Sequence, residues 1–165
     1  MDFEELFERY GKMVYNLTVR MCGIQDAEDL TQDIFIKIHD KLESFRNEAK
    51  ISTWIYRIAM NENLKYLQKR KLKSFFLFQS LGEVADERIT SQDANDLQLQ
   101  FQTAIQSLPA GQQTAIQLFF YENLSQKEIA EITKSTIASV ESRIHRAKQN
   151  LGKLLGEKYR SGDLL

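Results

Sequence analysis

The sequence predicts an all-α chain: two small helical domains joined by a flexible acidic linker, the second of them a helix-turn-helix. Three observations carry this. Val, Ile and Thr nowhere alternate with polar residues at the period of two that strands need. One proline and seven glycines in 165 residues leave long stretches free to be helical. Residues 79–94, QSLGEVADERITSQDA, combine low hydrophobicity with excess acid and no clear period, the composition of a linker. The expected domains are therefore 1–78 and 95–165.

Composition narrows the class. A hydrophobic fraction of 42% and a charged fraction of 27% are ordinary for a globular protein. MDFEELFERY has neither the basic leader nor the apolar core of a signal peptide. The longest apolar runs, FFLF at 75–78 and LFFY at 118–121, are far too short to cross a bilayer. The single cysteine, Cys22, cannot form an internal disulfide and has no metal-site spacing, so a buried small hydrophobe is expected there. A cytoplasmic protein without metal or cofactor fits these features. The net charge of −1 conceals a segregation. Arg57, Lys65, Lys69, Arg70, Lys71 and Lys73 face only Glu62 within 57–73, whereas 79–107 holds five acids against Arg88 alone.

Taken in order, residues 3–21 form a first helix with apolar Phe3, Leu6, Phe7, Tyr10, Val14 and Leu17. CGIQD interrupts it, and Asp26 is placed to cap a second helix running to about Phe45, with Asp29 also favoured by the helix dipole. Leu30, Ile34, Phe35, Ile38 and Leu42 share one stripe of that helix. Ile36 points nearly the opposite way, among Asp29, Gln32, Asp33 and Asp40. It is either an ordinary exposed residue or the centre of a docking patch. FRNEAKIS is a loop leading to a third helix with Ser52 as cap and an Ile51–Tyr56 staple. Trp54, Ile55, Ile58 and Ala59 supply its core face, and the later basic run exceeds what a helix C-terminus needs, which points to phosphate contact. After the linker, Leu97, Leu99, Phe101, Ala104, Ile105 and Leu108 resume a helical period, LPAGQQ breaks it, and a helix from about 111 to 121 follows.

LSQKEIAEI opens with a capping box, Ser125 and Glu128, and buries Ile129, Ala130 and Ile132. TKST is a short turn, and Thr136 caps a last helix whose buried stripe is Val140, Ile144, Ala147 and Leu151. Its opposite face carries Ser139, Ser142, His145, Arg146, Gln149 and Lys153, with Arg143 on one flank. Such a face offers donors to base edges and cations to phosphates. Glu141 projects to the other flank beside Lys148, where it can pair with that lysine, touch a neighbouring helix, or accept from cytosine N4 if the helix rolls toward the groove. From the residues alone, a three-helix packing unit with a solvated face stays open, as does a helix-turn-helix regulator acting without polymerase. No enzyme constellation is present: there is no glycine-rich phosphate loop, and neither His39 nor His145 has a nucleophile nearby in sequence.

Two collinear segments resemble one family. DAEDLTQDIFIKIHDKLESFRNEAKISTWIYRIAMNENLKYLQKRK is similar to region 2 of the extracytoplasmic-function sigma factors of the sigma-70 family. LPAGQQTAIQLFFYENLSQKEIAEITKSTIASVESRIHRAKQNL is similar to their region 4. The resemblance implies promoter recognition on behalf of core RNA polymerase. The helix 26–44 would dock on the clamp helices of the largest subunit through Asp29, Gln32, Asp33, Ile36 and Asp40, with the flap of the second-largest subunit as a further partner. The loop containing Phe45 and Arg46, with the helix after it, would melt and read the −10 element, where an unstacked base exposes its edges. Asn61 stands at a reading position, Lys65 follows one turn on, and Arg57, Lys69, Arg70 and Lys71 fall to phosphates. Trp54 and Tyr56 are candidate stacking groups, though Trp54 matches a core tryptophan of the family. Arg143 and Arg146 would meet the −35 element, with Ser139, Ser142, His145 and Gln149 beside them. The family is commonly held inactive by an anti-sigma factor, in some cases membrane-bound, and FFLF is a candidate for cover by a partner. Two departures bear on the promoter. Lys134 replaces a frequent turn glycine, and Glu141 replaces a frequently basic residue.

Overall fold

In a computed structural model, the backbone is described over residues 2–46, 49–81 and 94–156, and the side chains over the same residues except 75–81 and 94–99. Helix α1 (Phe3–Cys22) starts from a capping box: Asp2 Oδ1 accepts the Glu5 N–H at 2.9 Å, and the Glu5 carboxylate accepts the Asp2 N–H at 3.2 Å. Leu6, Val14, Leu17 and Met21 fall on its inner face and are fully buried. It ends at Gly23, whose φ of 98° suits a residue without Cβ and whose N–H donates to the Val19 carbonyl at 2.9 Å.

That glycine also starts α2 (Ile24–Leu42) directly. Asp26 is therefore not its cap, contrary to expectation. The reversal at Gly23 begins the helix too early for Asp26 to sit outside it, and the acid lies in the first turn instead. The helix also stops before Phe45, at Leu42. Ile34, Phe35 and Ile38 are buried as the stripe requires, with Leu30 and Leu42 packed at its edges.

Helix α3 (Ile51–Leu81) begins one residue before the expected cap. The Trp54 N–H bonds the Lys50 carbonyl at 3.1 Å, so Ser52 is already inside the first turn. The helical backbone continues through 75–81; the side chains of FFLF lie outside the described residues. Helices α1, α2 and α3 pack together around Ile55, Tyr56, Ala59, Met60 and Leu67. Their core holds one polar cluster: Asn63 Nδ2 donates to Thr18 Oγ1 at 3.2 Å, and Cys22 Sγ lies 3.6 Å from Asn63 Oδ1. Burial pushes the Cys22 thiol up to about 12, so it stays protonated and unreactive at neutral pH.

The second half comprises α4 (Ala94–Ser107), α5 (Ala110–Ile116), a π-helical turn (Gln117–Tyr121), α6 (Gln126–Thr133) and α7 (Ile137–Leu155). The expected single helix over 111–121 is thus widened in its second part. An extra residue in the turn lets both Gln117 and Leu118 point inward, and the Leu124 N–H closes on the Leu118 carbonyl at 3.1 Å. The chain leaves this turn at Glu122. Apolar side chains of both halves join one continuous core cluster, with α3 packed on α6 and α1 touching α4.

Candidate polymerase and nucleic-acid interfaces

On α2 the sequence places Asp29, Gln32, Asp33, Ile36 and Asp40 within about one third of the helix circumference. All five are exposed, Ile36 by 58%. Lys37 leaves this face to join Glu62 of α3. The result is an acidic face with one apolar side chain at its centre, opposite a stripe sealed in the core. It can meet a cationic surface with a small apolar socket.

The residues expected at the −10 element are less free. Phe45 packs on Trp54 with ring centroids 5.1 Å apart, and Trp54 lies against the core, as its family position implies. Arg46 is exposed. The other stacking candidate, Tyr56, is buried and donates its hydroxyl to Glu122 Oε2 at 2.7 Å, so it is not available to a base in this conformation. Arg57 reaches α6: Nη2 donates to the Glu131 carbonyl at 2.7 Å and Nε to that of Ile132 at 3.2 Å. These carbonyls belong to the last turn of α6, where a cation is favoured. Asn61 is exposed one turn later, in a cleft shared with Arg57, Gly111, Thr133 and Arg143.

Lys65 donates to Glu62 Oε1 at 2.8 Å, and Lys37 bonds the other oxygen of the same carboxylate. Burial pushes the Glu62 carboxyl up, but the two lysines outweigh it and leave it below the usual range. Arg70 Nη1 donates to the Cys22 carbonyl at 2.8 Å, closing the end of α1, and its guanidinium stacks near Tyr66. Lys69 and Lys71 are exposed.

On α7 the local rules work as expected. Ser125 and Glu128 form the capping box of α6, with the Glu128 N–H on Ser125 Oγ at 3.3 Å and the Ser125 N–H on Glu128 Oε2 at 3.0 Å. The Ser125 N–H and the Ser125 hydroxyl, both donating to Glu128 Oε2, hold that carboxyl below its ordinary range. Thr136 Oγ1 accepts the Ser139 N–H at 3.1 Å and caps α7. Lys134, in the turn between, adopts φ 49° and ψ 47°, so it takes the left-handed conformation that a glycine would adopt without strain. Val140, Ile144, Ala147 and Leu151 are buried, and Ser142, His145, Arg146 and Gln149 stand exposed on the far side. His145 Nε2 and Gln149 Nε2 lie 3.0 Å apart. Arg143 is half-buried, with its Nε 3.4 Å from where a Cβ on Gly111 would stand. A Cβ at 111 would stand in close contact with this arginine. Glu141 does not pair with Lys148; the lysine sits over the Phe120 ring at 5.1 Å instead, and both line a groove between α6 and α7.

Sequence reasoning missed Arg20, Glu122 and the role of Tyr56. Arg20 and Glu122 form an ion pair between α1 and the residue after the π turn, both largely buried. Arg20 also lies over the Tyr121 ring at 5.0 Å. Burial lowers the Arg20 pKa, partly opposed by Tyr121 and Tyr56, and it raises that of the Tyr56 phenol, keeping it a donor. No local pattern announces a pair separated by 102 residues.

Known proteins place this arrangement. The profile of Sigma-70 region 2 matches residues 6–73, and that of Sigma-70, region 4 matches 98–151. The chain is 31% identical to the ECF RNA polymerase sigma factor SigW of Bacillus subtilis over 165 aligned residues, covering 93% of this chain and 88% of that protein. It is 34% identical to the ECF RNA polymerase sigma-E factor of Haemophilus influenzae, covering 89% of this chain and 84% of that one. Among solved structures, the sigma factor RpoE of Bartonella quintana, co-crystallised with the anti-sigma factor NepR, superposes with a TM-score of 0.69 at 26% identity. That likeness covers 93% of this chain and 96% of RpoE, and CnrH shares the fold at a TM-score of 0.66. The chain belongs to the extracytoplasmic-function sigma factors of the sigma-70 family.

Proposed function

We propose that this sigma factor divides its work between three faces. The acidic face of α2, Asp29, Gln32, Asp33, Ile36 and Asp40, binds the clamp helices of the largest polymerase subunit, and the second half of the chain meets the flap of the second-largest. The α3 side, with Phe45, Arg46, Arg57, Asn61, Lys65, Lys69, Arg70 and Lys71, opens and reads the −10 element. The outer face of α7, with Ser139, Ser142, Arg143, His145, Arg146 and Gln149, reads the −35 element.

The observation that carries this reading is the division of α7. Its inner stripe is closed in the core while Ser142, His145, Arg146 and Gln149 face outward together, the disposition a helix needs to enter a major groove. The mixture of arginine, serine, histidine and glutamine suits base edges as well as phosphates. Among the described residues no helix is long and apolar enough to cross a membrane. The protein works in the cytoplasm beside its polymerase, and an anti-sigma factor, such as the NepR bound to RpoE, restrains it.

The test is reconstitution. Core RNA polymerase with this protein is expected to give run-off transcripts from a two-element promoter, and the protein alone to bind the same duplex weakly. Transcription that is the same with and without the protein would end the proposal.

A further inference from the structure

One flank of each proposed DNA-reading side meets the other, while Ser142, His145, Arg146 and Gln149 of α7 stay exposed. Asn61 and Arg57 of α3 line one cleft with Gly111 of α5, Thr133 of α6 and Arg143 of α7. The −10 and −35 elements, by their names, lie about 25 base pairs apart, or roughly 85 Å at 3.4 Å per step. Side chains lining one small cleft cannot reach both elements at once. Arg57 is moreover bonded to the Glu131 and Ile132 carbonyls, so a phosphate and the end of α6 compete for the same guanidinium.

Beside the apolar packing of α3 on α6 and α1 on α4, two sets of polar contacts among the described residues hold this closed form. Glu122 lies at the centre of one: its Oε1 accepts from Arg20 of α1, and its Oε2 accepts from the Tyr56 hydroxyl of α3 at 2.7 Å. One carboxylate thus ties two helices of the first half to the second. With Glu122 gone, Arg20 would keep a largely buried charge whose Nε already has no hydrogen-bond partner among the described residues. Arg57 on the last turn of α6 makes the other. Lys50 and Glu128, at 4.0 Å and more exposed, add little.

We propose that Glu122, through Arg20 and Tyr56, is an intramolecular latch that keeps the free protein closed, and that Arg57 serves in turn as a latch contact and as a promoter contact. The inhibitory part rests on the DNA-reading roles given to Arg57, Asn61 and Arg143; the latch itself does not. The closed state lowers the apparent DNA affinity of the free protein by the fraction of molecules that are open. Any partner that separates α3 from α6 releases Arg57 and frees Asn61 and Arg143 from their shared cleft.

Distance measurements on the full chain test this. Dyes are placed on Lys12→Cys in α1 and Lys127→Cys in α6, both exposed, while buried Cys22 stays unlabelled. The otherwise unaltered chain is expected to show one short-distance population. Glu122→Gln is expected to raise the separated fraction roughly tenfold, the scale of one charge-assisted hydrogen bond. Tyr56→Phe, which removes only a hydroxyl, should shift it the same way by less and serves as the independent variant should Glu122→Gln lose helicity. Free Glu122→Gln should also bind promoter duplex about tenfold more tightly. A distance distribution untouched by both substitutions overturns the latch. Opening without any gain in DNA binding overturns the inhibitory role. Transcription that fails with every variant, while the distances respond, removes the sigma reading and leaves the latch standing.

Discussion

The cations of α3 and those of α7 look alike in sequence and differ in the fold. On α3, Arg57 is bonded to α6, Lys65 to Glu62 and Arg70 to the end of α1. On α7, Arg146 and Lys153 stand in solvent with the helix's apolar stripe sealed behind them. The α7 face is open to solvent and supported from beneath. The α3 face is partly scaffold: Arg57, Lys65 and Arg70 would have to leave protein partners before meeting another ligand, whereas Lys69 and Lys71 are exposed. A substitution on α7 should therefore report on recognition alone, whereas one on α3 mixes recognition with stability and domain arrangement.

The largest effect that would break this contrast belongs to Arg146→Ala. It should weaken binding of the polymerase complex to a −35 element by about 1–3 kcal/mol, with relaxed preference at one base and an unchanged melting temperature. A uniform loss across sequences would make Arg146 a phosphate contact. Next, Ile36→Glu should weaken association with core polymerase by about tenfold while the fold persists, measured by titration of labelled protein. Unaltered affinity returns Ile36 to the ordinary exposed residues.

Arg70→Ala sharpens the contrast from the other side. It should lower unfolding free energy by about 1 kcal/mol in denaturant melts, because the Cys22 carbonyl loses its donor at the end of α1. If stability is untouched, α3 cations are as free as those of α7. Lys134→Gly should add about 0.5–1 kcal/mol of stability by relieving the left-handed backbone, with the outer face of α7 unaffected.

The smallest effect is electrostatic. Glu62 titrates below its unfolded value of about 4.3, so its contribution is present above that pH and is lost as pH falls through the lower folded value. Glu62→Gln should be less stable than the original chain near neutrality, and the difference should shrink on acidification. A gap that stays constant with pH would remove the Lys37–Glu62–Lys65 link from the account.

What the residues foretold is what periodicity and single-residue geometry control. The buried stripe of α7, the outward Ile36 and the caps at Ser125 and Thr136 each follow from neighbours within a turn or two. Asp26 and Ser52 failed as caps for local reasons that a cap rule does not contain. Gly23 reversed the chain early, and the Lys50 carbonyl had already entered the α3 ladder. The π turn was illegible because apolar residues at 118–121 suit an α-helix equally well. Of the candidate site, positions on faces were readable, but engagement was not. Whether Arg57 meets solvent or α6 depends on packing across more than seventy residues.

The most direct test sequences the 5′ ends of transcripts made on genomic DNA by core polymerase, with and without this protein. The account predicts a new set of starts, each preceded by a shared pair of elements near −10 and −35. Starts identical in the two reactions would contradict it.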